Sequence, residues 1–255
     1  MSTRPARSGV TARVLDVLGA FTARTPALSL SDIARRTDLP LTTVHRLVGE
    51  LTAGGALDRG DDGRYTIGLR LWEIAHLAPA STGLREAAMP FLEDLHEVTR
   101  HNVQLAVLDS ADPGEVVYVE RLSTRDAVSI VTRPGSRMPA CATGVGLVLL
   151  AHADPADAER VLARPLRRFT PHTVCDPDDV RALLAQARAG GFVISDRQVE
   201  PVSLSVAAPV RSGDGPVVAA LSVVVPADGT NPHTWVPAVR AAARGISRAL
   251  GAARP

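Results

Sequence analysis

The sequence predicts an α+β protein: a small helical unit that ends in a β-hairpin, joined by a linker helix to a larger unit in which strands and helices alternate. Three observations carry this. Apolar residues between positions 10 and 51 recur every three or four residues, the period of helices that bury one face. The tetrad Gly60-Asp61-Asp62-Gly63 separates two short strand-like runs, as the turn of a hairpin does. From residue 102 onward, strand-like runs are interleaved with helical patterns. The boundaries expected are a disordered N-terminus over 1–8, the helical unit over 9–68, the linker helix over 69–83 and the larger unit over 84–255.

In the first unit, Val10, Val14, Val17, Leu18 and Phe21 mark one face of a first helix that should stop at Arg24 to Pro26. Ser31-Asp32 offers an N-cap and a first-turn acid to a short second helix, with Ile33 and Ala34 inward and Arg35 and Arg36 outward. Thr37-Asp38-Leu39-Pro40 makes the turn. Val44, Leu47, Val48 and Leu51 are the buried stripe of a third helix, closed by the left-handed signal of Gly54-Gly55. Runs at 56–59 and 64–67 flank the hairpin turn. Short helix, tight turn, longer helix and hairpin together make a winged helix-turn-helix, and the outward face of the third helix presents Thr42, Thr43, His45, Arg46 and Glu50. Such side chains can bond phosphates and base edges from within a major groove, with Arg46 the leading contact. Ser31 and Arg35 on the second helix join the expected DNA-contacting set, and Arg59 and Arg64 at the wing tip suit the phosphate backbone. A plain helical bundle with solvated arginines is the alternative.

The linker helix carries Leu69, Leu71, Trp72, Ile74, Ala75 and Leu77, too apolar for a free connection, so part of it should bury against a partner chain. A second amphipathic helix, 84–99, turns Ala88, Phe91, Leu92, Leu95 and Val98 to the core. Beyond it, strands are expected at 102–108, 116–122, 128–132, 192–195, 204–209 and 217–225. Helices are expected at 144–151, 156–163, 178–189 and 233–250. Residues 135–139 read as a loop. The glycine-containing start of the helix at 144 offers backbone N–H groups to an anion such as a carboxylate through Thr143, Gly144 and Val145, although a plain N-cap explains the same residues. Ser205 and Ser222 stand among apolar strand residues, where a hydroxyl needs a partner, either a bound molecule or a neighbouring carbonyl.

Composition narrows the function. With 45% hydrophobic and 22% charged residues the chain is not disordered as a whole. Its longest apolar run, Val217 to Ala227, is broken by Ser222 and Pro226 and is too short to span a bilayer. No secretory signal is recognisable, so no membrane partner and a cytoplasmic address are expected. All 28 cations are arginine, which excludes lysine chemistry and supplies planar forks for phosphate. Up to residue 70 there are 10 Arg against 7 acids, and afterwards 18 against 20, so the first unit is the better polyanion binder. Two cysteines, Cys141 and Cys175, cannot build a disulfide framework or a zinc ribbon. His96 and His101 lie five apart, about 140° around a helix, and cannot chelate one metal. Cys141 near a helix start could be a nucleophile or a core thiol. Gly144-Val145-Gly146 lacks the third glycine of a dinucleotide fingerprint. No catalytic constellation, metal or cofactor is expected; the competing reading is a small-molecule enzyme or sensor domain that carries a helix-turn-helix-like bundle.

The segments LSLSDIARRTDLPLTTVHRLVGELTAGGAL and YTIGLRLWEIA resemble the DNA-binding half of the IclR family of bacterial transcriptional regulators, and Thr43-Val44-His45-Arg46-Leu47 is especially close to that family's recognition helix. The resemblance extends through the C-terminal half, where Gly135, Pro139, Ala142, Gly144, Gly146, Leu149, Leu150 and Ala151 match its glycine-rich effector-pocket motif. It implies a GAF-like effector-binding domain and an effector site formed by Ile130, Met138, Cys141, Gly144, Val145, Ser195, Asp196, Ser205 and Ser222. Cys141 stands where many relatives have histidine and Leu147 where many have lysine, which implies a more apolar pocket mouth. The function implied is a repressor acting on a near-palindromic operator as a homodimer or homotetramer, controlled by a carboxylate or small aromatic metabolite.

Overall fold

The computed structural model describes residues 9–22, 25–77, 83–212 and 215–252. They form two compact units, Met1–Ala78 and Pro79–Pro255. The expected disordered segment 1–8 and the end of the linker, 78–82, lie outside the described residues.

The first unit contains α1 (Val10–Gly19), α2 (Leu30–Thr37), α3 (Leu41–Ala53), β1 (Leu57–Arg59), β2 (Tyr65–Ile67) and α4 (Leu69–His76). Val17, Leu28, Ile33, Val44, Leu47, Val48 and Leu57 form its buried core. The helix ends differ from those the periodicity implies, except that α3 stops at Gly54 as expected. Helix α1 stops at Gly19, short of the expected Arg24–Pro26, and Val10 is exposed, while Phe21 still packs on the core from beyond the helix end. The N-cap of α2 is Ser29, not Ser31. Ser29 Oγ accepts from Asp32 N at 3.2 Å and Asp32 Oδ2 accepts from Ser29 N at 3.3 Å, a reciprocal pair that satisfies two donors at once. Ser29 Oγ also donates to Asp32 Oδ2 at 2.7 Å, and that bond, with the one from Ser29 N, holds the Asp32 carboxyl below the usual carboxylate range. Asp38, with φ +56°, closes α2 in the left-handed region, and Gly55, with φ +71°, follows α3.

Strands β1 and β2 pair in antiparallel register, Leu57 opposite Ile67 and Arg59 opposite Tyr65. Leu28 adds a third, one-residue strand by exchanging hydrogen bonds with Tyr65 at 3.0 and 2.8 Å, a pairing between α1 and α2 that sequence periodicity does not reveal. Gly68 ends the wing against the turn after α3, donating its N–H to Ala56 O at 2.9 Å; a Cβ there would fall on the Gly55 carbonyl oxygen. Because that neighbour is backbone, Gly68→Ala should cost about 1–3 kcal/mol. The check is a thermal melt: the variant melts several degrees below wild type, and an unchanged melting temperature would show that the turn and α4 are free to shift. Leu69, Trp72 and Ile74 of α4, and Leu77 just beyond it, are exposed in the single chain.

The second unit contains α5 (Arg85–Thr99), β3 (Asn102–Leu108), β4 (Glu115–Leu122), β5 (Arg137–Pro139), α6 (Gly144–His152), α7 (Pro155–Leu162), α8 (Pro177–Gly190), β6 (Val193–Asp196), β7 (Ser203–Arg211), β8 (Val217–Pro226) and α9 (Val236–Ala252). Its six strands run β5-β4-β3-β8-β7-β6, every pairing antiparallel. Alternation along the strands makes two cores. Leu204, Val206, Ala208 and Val210 of β7 with Leu221 and Val223 of β8 pack on α5 and α9, whereas Ala207 and Ala220 belong to the α6, α7 and α8 side.

Helix α6 is buried on all sides from Gly144 to Ala151, hence its unbroken apolar sequence. Gly146 is required there because a Cβ would penetrate the Ala140 backbone. Several expectations fail locally. Residues 128–132 form no strand, because this stretch is loop held by side chains; 137–139 is a strand rather than a loop, pairing with β4. Val98 is 75% exposed instead of facing the core, and the closing helix begins at Val236 after a short 3-10 turn at 232–234. Among the described residues no helix is long and apolar enough to cross a membrane.

Candidate functional site

Helix α3 buries Val44, Leu47 and Val48, and this fixes which side chains face outward. Thr42, His45 and Arg46 are exposed and Thr43 is half-buried at the edge. Arg46 Nη1 lies 2.6 Å from Glu50 Oε1, one turn along the helix, an exposed pair worth only a few tenths of a kcal/mol and easily exchanged for a phosphate or a base edge. On α2, Ser31 is exposed and Arg35 Nη2 holds Asp32 Oδ1 at 2.6 Å. Arg36 is exposed, as its outward place in the helix pattern predicts, and also ties the unit together: its Nη1 donates to Ala20 O at 2.9 Å and Thr25 Oγ1 at 2.7 Å. In the wing, the Arg59 guanidinium sits 5.7 Å from the Tyr65 ring centroid, and Arg64 is exposed beside the turn, where its N–H donates to Asp62 Oδ1 at 3.0 Å.

In the second unit a cavity of about 420 Å³, its mouth included, opens between the α6 face of the sheet and the loops 123–136 and 197–202. Most of that volume is solvent at the mouth; the enclosed space is about 40 Å³, smaller than a typical ligand pocket, so the site is a narrow polar cleft. The sheet supplies a polar row across an otherwise apolar face. Gln104 of β3 pairs opposite Ser222 of β8, and Ser205 of β7 opposite Ser195 of β6. Tyr118, Ile130, Thr132, Thr143, Gly144, Val145, Gln198 and Glu200 complete the lining. Gly144 lets the start of α6 approach the sheet, since a Cβ there would lie 2.7 Å from Ser205 Oγ. Thr143 caps the helix by accepting from Gly146 N at 3.1 Å, and its carbonyl takes Leu147 N; among the described residues no partner takes the N–H groups of Gly144 and Val145.

Two features give the cavity its chemistry. Ser222 Oγ is sealed from solvent, its residue only 1% exposed, and among the described residues it has no hydrogen-bond partner. A buried hydroxyl left unpaired costs about 1–3 kcal/mol, so a guest that bonds it recovers that energy. Among the described residues, Glu200 is the one carboxylate in the lining, and no cation lines it. Its oxygens accept from Val131 N at 2.8 Å and Ser203 Oγ at 3.0 Å, fastening one loop to the other across the mouth. Thr132 is held from below by Gln104 Nε2 and by Arg121 Nη1, which donates to Thr132 O at 2.5 Å. Burial, and then the Glu200 charge, push the Tyr118 hydroxyl far above its ordinary value against an opposing bond to Thr143, so it stays neutral.

Three expected pocket residues are elsewhere. Met138 sits on β5 opposite Val116 and packs on the core; Cys141 is buried in the same core, where burial raises its thiol to about 11; Asp196 is exposed and pairs with Arg197. Leu147, like Cys141, belongs to the core rather than to the mouth. A neutral thiol of this kind is no nucleophile. Ile130, Gly144, Val145, Ser195, Ser205 and Ser222 are brought together as cavity lining. Sequence reading missed Gln104 and Glu200: Gln104 is signalled, like Ser222, by a polar residue in an apolar strand, whereas Glu200 lies in a loop with no periodic signal. Among the described residues no metal-binding cluster exists, and His96 Nδ1 is engaged by His101 O at 2.8 Å.

A winged helix-turn-helix and a small-molecule cavity carried on one chain define a ligand-responsive transcriptional regulator. Residues 10–61 match the IclR helix-turn-helix domain and residues 76–248 match the bacterial transcriptional regulator IclR C-terminal domain. The chain belongs to the IclR family. It is 42% identical, with a TM-score of 0.90, to the crystal structure of an IclR homolog complexed with 4-hydroxybenzoate from Microbacterium hydrocarbonoxydans, over 96% of this chain and 100% of that one. It is 30% identical to the HTH-type transcriptional regulator XynR of Escherichia coli K12, over 83% of both chains. It is also 30% identical to the HTH-type transcriptional repressor AllR of Klebsiella pneumoniae, over 88% of this chain and 83% of that protein.

Proposed function

We propose that this regulator is a cytoplasmic repressor that binds a near-palindromic operator as a homodimer or homotetramer and releases it on binding a small aromatic carboxylate. Thr42, Thr43, His45 and Arg46 enter the major groove; Ser31, Arg35, Arg59 and Arg64 contact the backbone. One recognition helix makes too few base contacts to select a site among a genome's competitors, so two are required, about one DNA turn or roughly 34 Å apart. The exposed Leu69, Trp72 and Ile74 of α4, with Leu77 just beyond it, give the chain an apolar surface to cover in such an assembly. The chain has no catalytic role in this reading.

The observation that carries the effector assignment is the unpaired hydroxyl of Ser222 in a cavity that also presents the N–H groups of Gly144 and Val145. Those N–H groups suit a carboxylate, which Glu200 repels from its own side of the cavity. A phenolic hydroxyl donating toward Glu200 satisfies the opposite requirement, and the similarity to the 4-hydroxybenzoate-bound homologue points the same way. Calorimetric titration of the full chain tests this. The 4-hydroxybenzoate probe should bind saturably and weaken operator binding, with benzoate at least tenfold weaker for want of the donor. No binding of either compound, or equal binding of both, contradicts the assignment.

A further inference from the structure

We infer that the second unit carries another anion site, a groove between α9 and β7 on the sheet face away from the cavity, built to hold a phosphate-bearing polyanion. Arg211, Arg240, Arg244 and Arg248 line a groove of about 1440 Å³ that is open to solvent. Arg240, Arg244 and Arg248 follow one another at four-residue spacing on α9, so they lie on one face, about 6 Å apart per step at 1.5 Å of rise per residue. Arg211 joins them from the end of β7, held in place because its backbone N–H donates to Ser247 Oγ at 2.9 Å. The floor is made of small residues, Ala208, Ala243 and Gly191, which leave the guanidinium groups standing around empty space.

The charge pattern is what singles this groove out. Several helical arginines elsewhere are balanced by an acid, Arg35 with Asp32, Arg46 with Glu50, Arg160 with Asp157 and Arg181 with Asp178, and others such as Arg36 and Arg188 are held by backbone carbonyls. The seventeen residues of α9 contain no acid at all, and among the described residues no carboxylate lies within ion-pair distance of Arg240, Arg244 or Arg248. A row of like charges at this spacing destabilises a helix. A polyanion removes that repulsion, and planar guanidinium forks match phosphate oxygens in pairs, so several phosphates in a chain fit a row of forks better than a single carboxylate does. The shared chemistry has two sources, the backbone of nucleic acid and a free polyphosphate.

The test titrates the full chain with inorganic triphosphate at low salt by calorimetry and compares wild type with an Arg244→Ala/Arg248→Ala double variant. One saturable binding event per chain is expected in wild type, weakened at least tenfold in the double variant, whose unliganded melt is equal to or slightly above that of wild type. Lysine at both positions should recover only part of the affinity, because charge returns and the forks do not. A second arm measures non-operator duplex binding against salt. If nucleic acid is the source, the slope of log K against log salt flattens by about 1 to 2 in the double variant; if a free polyphosphate is the source, the slope is unchanged while the triphosphate loss remains. Wild type that fails to bind triphosphate, or a double variant that binds it as tightly as wild type, overturns the proposal.

Discussion

Replacing Arg46 with Ala is expected to remove operator binding from a mobility-shift assay while leaving the fold unchanged. The side chain is exposed on the face of α3 opposite Val44, Leu47 and Val48, and among the described residues its one ion-pair partner is the exposed carboxylate of Glu50, so truncation opens no cavity and strands no buried charge. Loss of one bidentate base contact costs about 1–3 kcal/mol, a factor of about five to more than a hundred, and the free-energy loss doubles when two copies of the helix engage the site. The partner residue gives a second sign. Glu50→Ala frees the guanidinium and removes a negative charge that would face phosphate, so operator affinity should rise modestly and become somewhat more salt-dependent. Full binding by Arg46→Ala would remove α3 as the reading helix.

Replacing Ser222 with Leu should abolish the effector response and leave operator affinity as it is. The position is sealed under the cavity with Gln104 opposite it and Ala207 beside it, so a leucyl side chain has nowhere to go except into the space a ligand would use. Overpacking costs about 1–3 kcal/mol and could itself perturb the unit, which Ser222→Ala controls for. Alanine keeps the shape and deletes a hydroxyl that has no partner among the described residues. The unliganded alanine variant should therefore melt at or above the wild-type temperature while binding the effector less tightly. A structural role alone would lower stability and binding together. A Ser222→Leu protein that still responds to effector would move the site elsewhere.

Much of this was legible before any coordinates, for physical reasons that differ by element. Helices α1 to α3 bury a stripe each, so their periodicity shows where they lie, and the wing is announced by a turn of two glycines and two aspartates. The ends were less visible. Ser29 and Ser31 both look like caps, and only the reciprocal bond between Ser29 and Asp32 decides between them. In the second unit the strands that span both cores were plain, and serines within them marked the cavity wall. The loops that complete it were not, because residues such as Thr132, Gln198 and Glu200 are placed by side-chain bonds between distant segments and leave no pattern along the chain. Residues 128–132 misled for the same reason: they look β-prone, yet their backbone is held by Asn102, Arg121 and Glu200 instead of a neighbouring strand. Cys141 and Met138 were placed by likeness of position, and the 3-10 turn before α6 carries Cys141 into the core instead of the cavity.

The account stands on the outward face of α3 lying in DNA while the cavity beside Gly144 governs that contact. Hydroxyl-radical footprinting of an operator, with and without saturating effector, tests it most directly. The result predicted is two protected patches about one helical turn apart, present with wild type, absent with Arg46→Ala, and fading when effector is added to wild type but not to Ser222→Leu. Protection that survives Arg46→Ala unchanged, or that ignores the effector in wild type, would contradict it.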